Sequence, residues 1–457
     1  MHHMEKVHKV LTEKFSWYAR WHGHENCHHA HWVFFSLAVL LPTVGVLLGI
    51  QDYKAQLQAL LADTIPMPGP EARIRHGRVG DAFHNRILVK FKSGVSEQAR
   101  GALFSRHTLR EQDAIPELGI QVVTIHSQKD ALSVVRELTA KEAQHIEFTE
   151  IDALLAPAAV PNDPWFANWQ KNKQLIGLPS AWDTATGAPN LSVAVVDTGV
   201  DCMHEDIVGK CLEDWNFYDG TANAMDVNGH GTKVAGVIGA QGNNGIGVAG
   251  SAWDIKIFPL RVSDASGYAS YSAIAKAITY AADHGARVAN VSYQASGSRA
   301  VRSAGSYMRK KGGLITVSAG NSGSPTGNTA SGDLVVVSAT DPNDAAYIWS
   351  NFGNDVDIAA PGCTGATTLL NGGYGSFCGT SHAAPEVAGV LALIWSVNPE
   401  LTSDQAQSIL FTSAADMGVF GWDATYGWGR MDANAAAAKA LVTPADSASL
   451  QNKGRKK

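Results

Sequence analysis

The chain has 457 residues, 45% of them hydrophobic and only 17% charged, with 45 glycines and a formal net charge of −6. Hydrophobic content of that order supplies a large core, and the length suits two or three domains. The acidic balance removes the usual reason to expect a nucleic-acid partner.

The N-terminal part is unlike the rest. Residues 1–31 carry a scatter of histidines (His2, His3, His8, His22, His24, His28, His29 and His31) with no fixed ligand spacing, which reads as a tail rather than a metal site. Residues 32–50, WVFFSLAVLLPTVGVLLGI, contain no charge and approach the ~20 residues needed to cross a bilayer. Lys6, Lys9, Lys14 and Arg20 precede them, which favours an N-terminus held inside. The sequence therefore points to export, through a segment within residues 1–56 that is either cleaved or kept as a membrane anchor. Residues 57–83, rich in Pro, Gly and charge, read as a linker.

A compact pattern follows in residues 84–157. RILVKF (86–91), IQVVTI (120–125) and IEFTEI (146–151) read as strands, with helices over 96–107 and 131–140 between them. That order predicts a small α+β domain with one face of its sheet covered. Residues 156–164, APAAVPNDP, break regular structure and mark a boundary. Beyond it, short β-branched strands at 191–197, 256–262, 287–293, 314–320 and 334–340 alternate with helical stretches such as GTKVAGVIGA and YSAIAKAITYAADHG. Nearly continuous apolar strands with helices between them predict an α/β domain, a mostly parallel sheet with helices on both faces. In such sheets the active groups gather at the carboxyl ends of the strands.

Four polar residues sit at such ends. Asp197 closes VAVVD, His230 opens a helix in NGHGTKVAG, Asn321 follows a strand in VSAGNSG, and Ser381 stands before the apolar run CGTSHAAPEVAGVLALIW. Alone, Ser381 reads as a helix N-cap. Together the four supply a hydroxyl nucleophile, an imidazole to take its proton, a carboxylate to hold the imidazole, and an amide for a developing oxyanion. Position 383 is Ala, so the G-x-S-x-G elbow is absent, and the chain order Asp, His, Ser selects a different arrangement.

The segments VVDTGVD, NGHGTKVAGVIGA, SAGNSG and CGTSHAAPEVAGV closely resemble the subtilisin-like serine peptidases, and VPNDPWFANWQ with GNNGIGVAG resembles their thermitase and fervidolysin branch. The resemblance runs from residue 84 to about 441. It implies a subtilisin-like peptidase domain at 158–441 that cuts peptide bonds in proteins, with Asp197 orienting His230, His230 as base then acid, Ser381 as nucleophile and Asn321 in the oxyanion hole. It implies that residues 84–157 form a ferredoxin-like propeptide, an intramolecular inhibitor removed by self-cleavage between Leu155 and Pro161, and that 442–457 is a basic tail. It also implies Ca2+, held by Asp163, Asp206 and the loop from Gln241 to Val248 with Asn244 and Ile246, all oxygen donors of the kind a hard cation prefers. Asp219 and Asp226 are candidates for a second ion.

Three departures from the family pattern stand out: Gln294 where Gly borders the substrate edge, Lys233 and Glu386 where His is common, and Cys378 just ahead of Ser381. The two substitutions at His positions are expected to change little chemically. Cys202, Cys211, Cys363 and Cys378 fall as two close pairs, readable either as two disulfides or as four buried thiols.

Overall fold

The computed structural model describes residues 85–152, 160–363 and 365–444. The histidine-rich tail, the apolar segment 32–50, the linker, residues 153–159 of the proposed processing region, and the basic tail from Ala445 lie outside the described residues.

The first domain is a four-stranded antiparallel sheet carrying two helices: β1 (Arg86–Phe91), α1 (Glu97–Arg106), β2 (Leu109–Ile115), β3 (Ile120–Ile125), α2 (Ala131–Lys141) and β4 (Ile146–Ile151). Strand order β2-β3-β1-β4 gives the ferredoxin-like βαββαβ topology. Alternation in β1 sends Ile87, Val89 and Phe91 inward against Leu103 of α1 and Val134, Val135 and Leu138 of α2. Both helices begin on a side-chain cap, Ser96 accepting from Ala99 N–H and Asp130 from Ser133 N–H. Strand β2 is absent from the sequence reading. All of its residues but Leu109 are exposed, so it has no alternation to betray it. The domain touches the rest of the chain through α2, where the Arg136 guanidinium donates to the Leu441 carbonyl at 3.2 Å.

The second domain opens with three short helices, α3 (Phe166–Trp169), α4 (Lys171–Leu175) and α5 (Leu178–Trp182). Its sheet comprises β5 (Ser192–Asp197), β6 (Trp215–Asn216), β7 (Lys256–Arg261), β8 (Val288–Val291), β9 (Leu314–Ser318), β10 (Val335–Thr340) and β11 (Ile358–Pro361), in the order β11-β10-β9-β8-β5-β7-β6. All its strand pairs are parallel. The central strand β5 shows why the pattern is apolar throughout. Val193 and Val195 face one core with α6 (His230–Gly239), while Ala194 and Val196 face the other with α7 (Tyr271–Asp283) and α8 (Arg299–Lys310). A hairpin, β12 (Ala366–Thr368) and β13 (Tyr374–Ser376), precedes the buried helix α9 (Thr380–Val397), and α10 (Ser403–Thr412) and α11 (Ala433–Val442) complete the domain.

The four cysteines among the described residues form two disulfides, Cys202–Cys211 and Cys363–Cys378. The second bridges the two ends of the hairpin segment. On the hairpin itself, Thr367 and Thr368 hydroxyls donate to the Lys233 and Thr232 carbonyls of α6 at 2.7 Å each. The hairpin is thus tied both to the helix that carries His230 and to the turn that carries Ser381.

Candidate active site

Asp197 ends β5 fully buried, and its Oδ1 lies 2.7 Å from Nδ1 of His230, the first residue of α6. The close approach needs Gly231, where a Cβ would lie 2.0 Å from the Gly199 carbonyl oxygen and 3.1 Å from Asp197 Cβ. Asp197 Oδ1 also accepts the Thr198 N–H at 2.8 Å, while Oδ2 is buried without a hydrogen-bond partner. Burial alone would lower the imidazole pKa. The charge of Asp197 and its hydrogen bond outweigh burial and hold His230 above the ordinary histidine value.

The start of α6 is fixed by Asp226. Its Oδ1 accepts from Thr198 Oγ1 and from the Asn228 and Gly229 N–H groups, and its Oδ2 accepts from Thr232 N–H and Oγ1, all at 2.6–3.0 Å. Through those bonds Asp226 anchors the loop before His230. Asp219 Oδ2 accepts from Asn216 Nδ2 at 2.9 Å and lies 3.4 Å from the Arg261 guanidinium.

Ser381 lies in the first turn of α9, where helix N–H groups have no intrahelical acceptor. Its Oγ donates to the Ser292 carbonyl at 3.2 Å. Asn321, just beyond β9, is oriented by Thr380: its Oδ1 accepts the Thr380 N–H at 2.8 Å and the Thr380 hydroxyl at 2.9 Å. That leaves the amide nitrogen free for the space beside Gly379. A Cβ there would sit 3.2 Å from Asn321 Nδ2 and 3.5 Å from the Ser381 nitrogen, and Gly379 has φ +147°, so two donors flank one open point. Phe377 packs edge-on to His230, with centroids 5.8 Å apart.

The exposed Gln294 reaches across to Gly320, where a Cβ would meet its Oε1 at 2.6 Å. Its amide thus occupies the gap between the chain ends leaving β8 and β9, next to Asn321. Lys233 lies over the Phe377 ring at 5.9 Å. Glu386 is not a neutral substitution: it is fully buried and paired with Lys173, a partner that sequence reasoning did not find.

The calcium candidates come together away from this cluster. Asp163 and Asp206 are buried, and their carboxyl pKa values are raised chiefly by burial, with the Asp206 charge adding to the shift at Asp163. Asn243 N–H donates to Asp163 Oδ2, and Asn244 Nδ2 and Val248 N–H donate to Asp206. Asp163 Oδ1 is buried with no hydrogen-bond partner. Gln241 gives its side-chain oxygen to Lys210, so it, Ile246 and Val248 have main-chain oxygens to offer. Among the described residues no three His, Cys, Asp or Glu side chains converge. Two buried carboxylates with an orphaned oxygen nonetheless fit a hard divalent cation.

With this geometry in place, the comparisons with known proteins are decisive. The subtilase family profile matches residues 188–429, and the fervidolysin N-terminal prodomain profile matches residues 71–152. The chain belongs to the subtilase family. This subtilase is a serine-type endopeptidase with an N-terminal prodomain, of the thermitase and fervidolysin-like kind. It is 40% identical to thermitase of Thermoactinomyces vulgaris over 239 residues, covering 52% of this chain and 85% of that protein. It is 32% identical to the thermophilic serine proteinase of Bacillus sp. strain AK1 over 342 residues, covering 72% of this chain and 82% of that protein. Among solved structures, proteases from Pseudoalteromonas arctica superpose with a TM-score of 0.55 at 30% identity, over 62% of this chain and all of the matched one.

Proposed function

We propose that this subtilase cuts proteins through Ser381, His230 and Asp197, and is made as a self-processing, exported zymogen. The observation that carries the reading is the 2.7 Å Asp197–His230 pair at the end of the central strand, with His230 packed on Phe377, four residues before Ser381. Ser381 Oγ turns from the Ser292 carbonyl toward His230 Nε2, gives up its proton there and attacks the substrate carbonyl carbon. Asp197 keeps the proton of His230 on Nδ1 and stabilises the imidazolium. Asn321 Nδ2 and the Ser381 N–H receive the oxyanion, in the first turn of a helix whose dipole favours negative charge. His230 then protonates the leaving amine, leaving an acyl ester on Ser381. A water that gives its proton to His230 attacks the ester; as the acyl–Oγ bond breaks, His230 returns that proton to Ser381 Oγ and the acid is freed.

The prodomain match over residues 71–152 supports an inhibitory propeptide at 84–157; the peptidase domain would then be 158–441, with cleavage between Leu155 and Pro161. Asp163, Asp206 and Asn244, with main-chain oxygens of Gln241, Ile246 and Val248, would hold Ca2+. The ion, when bound, supplies stability to the folded form alone. The likeness to a protein named extracellular protease from Xanthomonas campestris supports an extracytoplasmic setting. The segment 32–50 would serve as signal or anchor.

The processing claim is tested by mapping the N-terminus of purified chain. Wild type should yield a new N-terminus within 156–161, and Ser381→Ala should keep residues 84–157 attached. A Ser381→Ala chain that matures alone would overturn self-processing.

A further inference from the structure

A buried ion pair lies between the helices of the site, and the reaction scheme above does not use it. Lys173 on α4 and Glu386 on α9 have side chains 1% and 0% exposed, with Nζ 3.0 Å from Oε2. Every hydrogen-bonding position of the pair is occupied. Lys173 Nζ donates to Glu386, to the Val237 carbonyl at 3.1 Å and to Ser251 Oγ at 2.9 Å. Glu386 Oε1 also accepts from Asn172 Nδ2 at 2.6 Å, and Oε2 accepts from Ser251 Oγ.

The placement of these partners matters. Val237 lies on α6, two turns beyond His230, and Glu386 lies on α9, in the turn after Ser381. A single ammonium therefore bonds the imidazole helix through a main-chain carbonyl and the nucleophile helix through a carboxylate. Buried ion pairs are poor sources of stability, because apolar side chains of similar volume often hold a fold as well or better. Apolar packing lacks direction, however, whereas these bonds fix the offset of one helix against the other. Misplacement of reacting groups by about 1 Å can cost roughly 100-fold in rate.

We propose that Lys173 is a positioning residue: with Glu386 it clamps α6 to α9 and so sets the distance over which Ser381 gives its proton to His230. This rests on the reading of Ser381 and His230 given above. Full-length chain is matured in calcium buffer as wild type, Lys173→Met and Lys173→Met/Glu386→Met. Active sites are counted with a fluorophosphonate, so that rates refer to competent molecules. For both variants the clamp predicts kcat per titrated site lower by roughly tenfold or more, with KM within about twofold. The double variant, which buries no unpaired carboxylate, should recover Tm without recovering kcat. A merely structural pair would lower Tm and the number of titratable sites and leave kcat per site unchanged, which would overturn the proposal. Failure of both variants to fold would also overturn it, by assigning the pair to folding. A wild type that neither titrates nor cuts any peptide would sink the reading of the site itself.

Discussion

Ser292 and Ser381 exchange hydrogen bonds: Ser381 Oγ donates to the Ser292 carbonyl, and Ser292 Oγ donates to the Ser381 carbonyl, each at 3.2 Å. The second bond has a cause in the sequence. The Ser381 carbonyl would ordinarily accept the N–H four residues on, but that residue is Pro385, inside α9. Ser292, itself held by Asn290 Nδ2 at 2.9 Å, supplies the missing donor. Ser292→Ala should therefore destabilise the fold by about 1–3 kcal/mol, the cost of an unpaired buried acceptor. Pro385→Ala in that background restores a donor and should recover part of the loss. Denaturant unfolding of the four-member cycle, in a Ser381→Ala chain to prevent self-digestion, checks this. Strict additivity would contradict it.

The raised pKa of His230 sets a pH dependence. Burial opposes the shift and Asp197 causes it, so the protonated imidazole persists above the ordinary range near 6.5. In the proposed mechanism only the neutral form accepts a proton from Ser381. The acid limb of kcat/KM should accordingly lie above that value, with activity rising through it. Stability follows the opposite sign: the Asp197–His230 contribution is complete below the unfolded-state pKa and is lost as pH rises through the folded one. Asp197→Asn should move the limb to lower pH and reduce kcat by about 10⁴-fold. A limb unmoved by that substitution would show that Asp197 does not set it.

Gln294 bears on selectivity. Its amide lies over Gly320, beside Asn321; in the proposed mechanism it borders the path of the side chain of the residue donating the scissile carbonyl. Wild type should favour a small residue there. Gln294→Gly should shift the kcat/KM ratio of Phe over Ala substrates upward by roughly tenfold, within the range that pocket size commands. A ratio unchanged between the two proteins would remove Gln294 from the determinants.

Calcium should appear as stability. At a concentration 100 times its Kd, an ion binding only the folded chain adds about 2.7 kcal/mol. Chelation of a Ser381→Ala chain should lower Tm, readdition of Ca2+ should restore it, and Asp163→Asn should abolish the response. A Tm indifferent to chelator would contradict the site at Asp163 and Asp206.

The parts legible in sequence are those with local causes. The run SVAVVD reads as a strand buried on both faces because the four residues between its polar ends are apolar, and its Asp marks the carboxyl end. Strand β2 was illegible because LREQDAI is solvated along nearly its whole length, and β6 because it has two residues. Glu386 passed for a minor substitution because its partner, Lys173, lies 213 residues earlier. The part Asp226 plays at the entrance of α6 was illegible because its donor Thr198 lies 28 residues earlier. Ser292 went unnoticed because its donor role exists only once Pro385 has vacated an N–H across the fold.

The most direct test of the central claim is to treat matured wild type and Ser381→Ala with a fluorophosphonate and map the adduct by peptide mass. The account predicts one adduct per folded wild-type molecule, on Ser381, with loss of peptide hydrolysis in step, and no adduct in the variant. A folded wild type that hydrolyses peptides while its adduct maps to another residue, or that persists unlabelled, would contradict it.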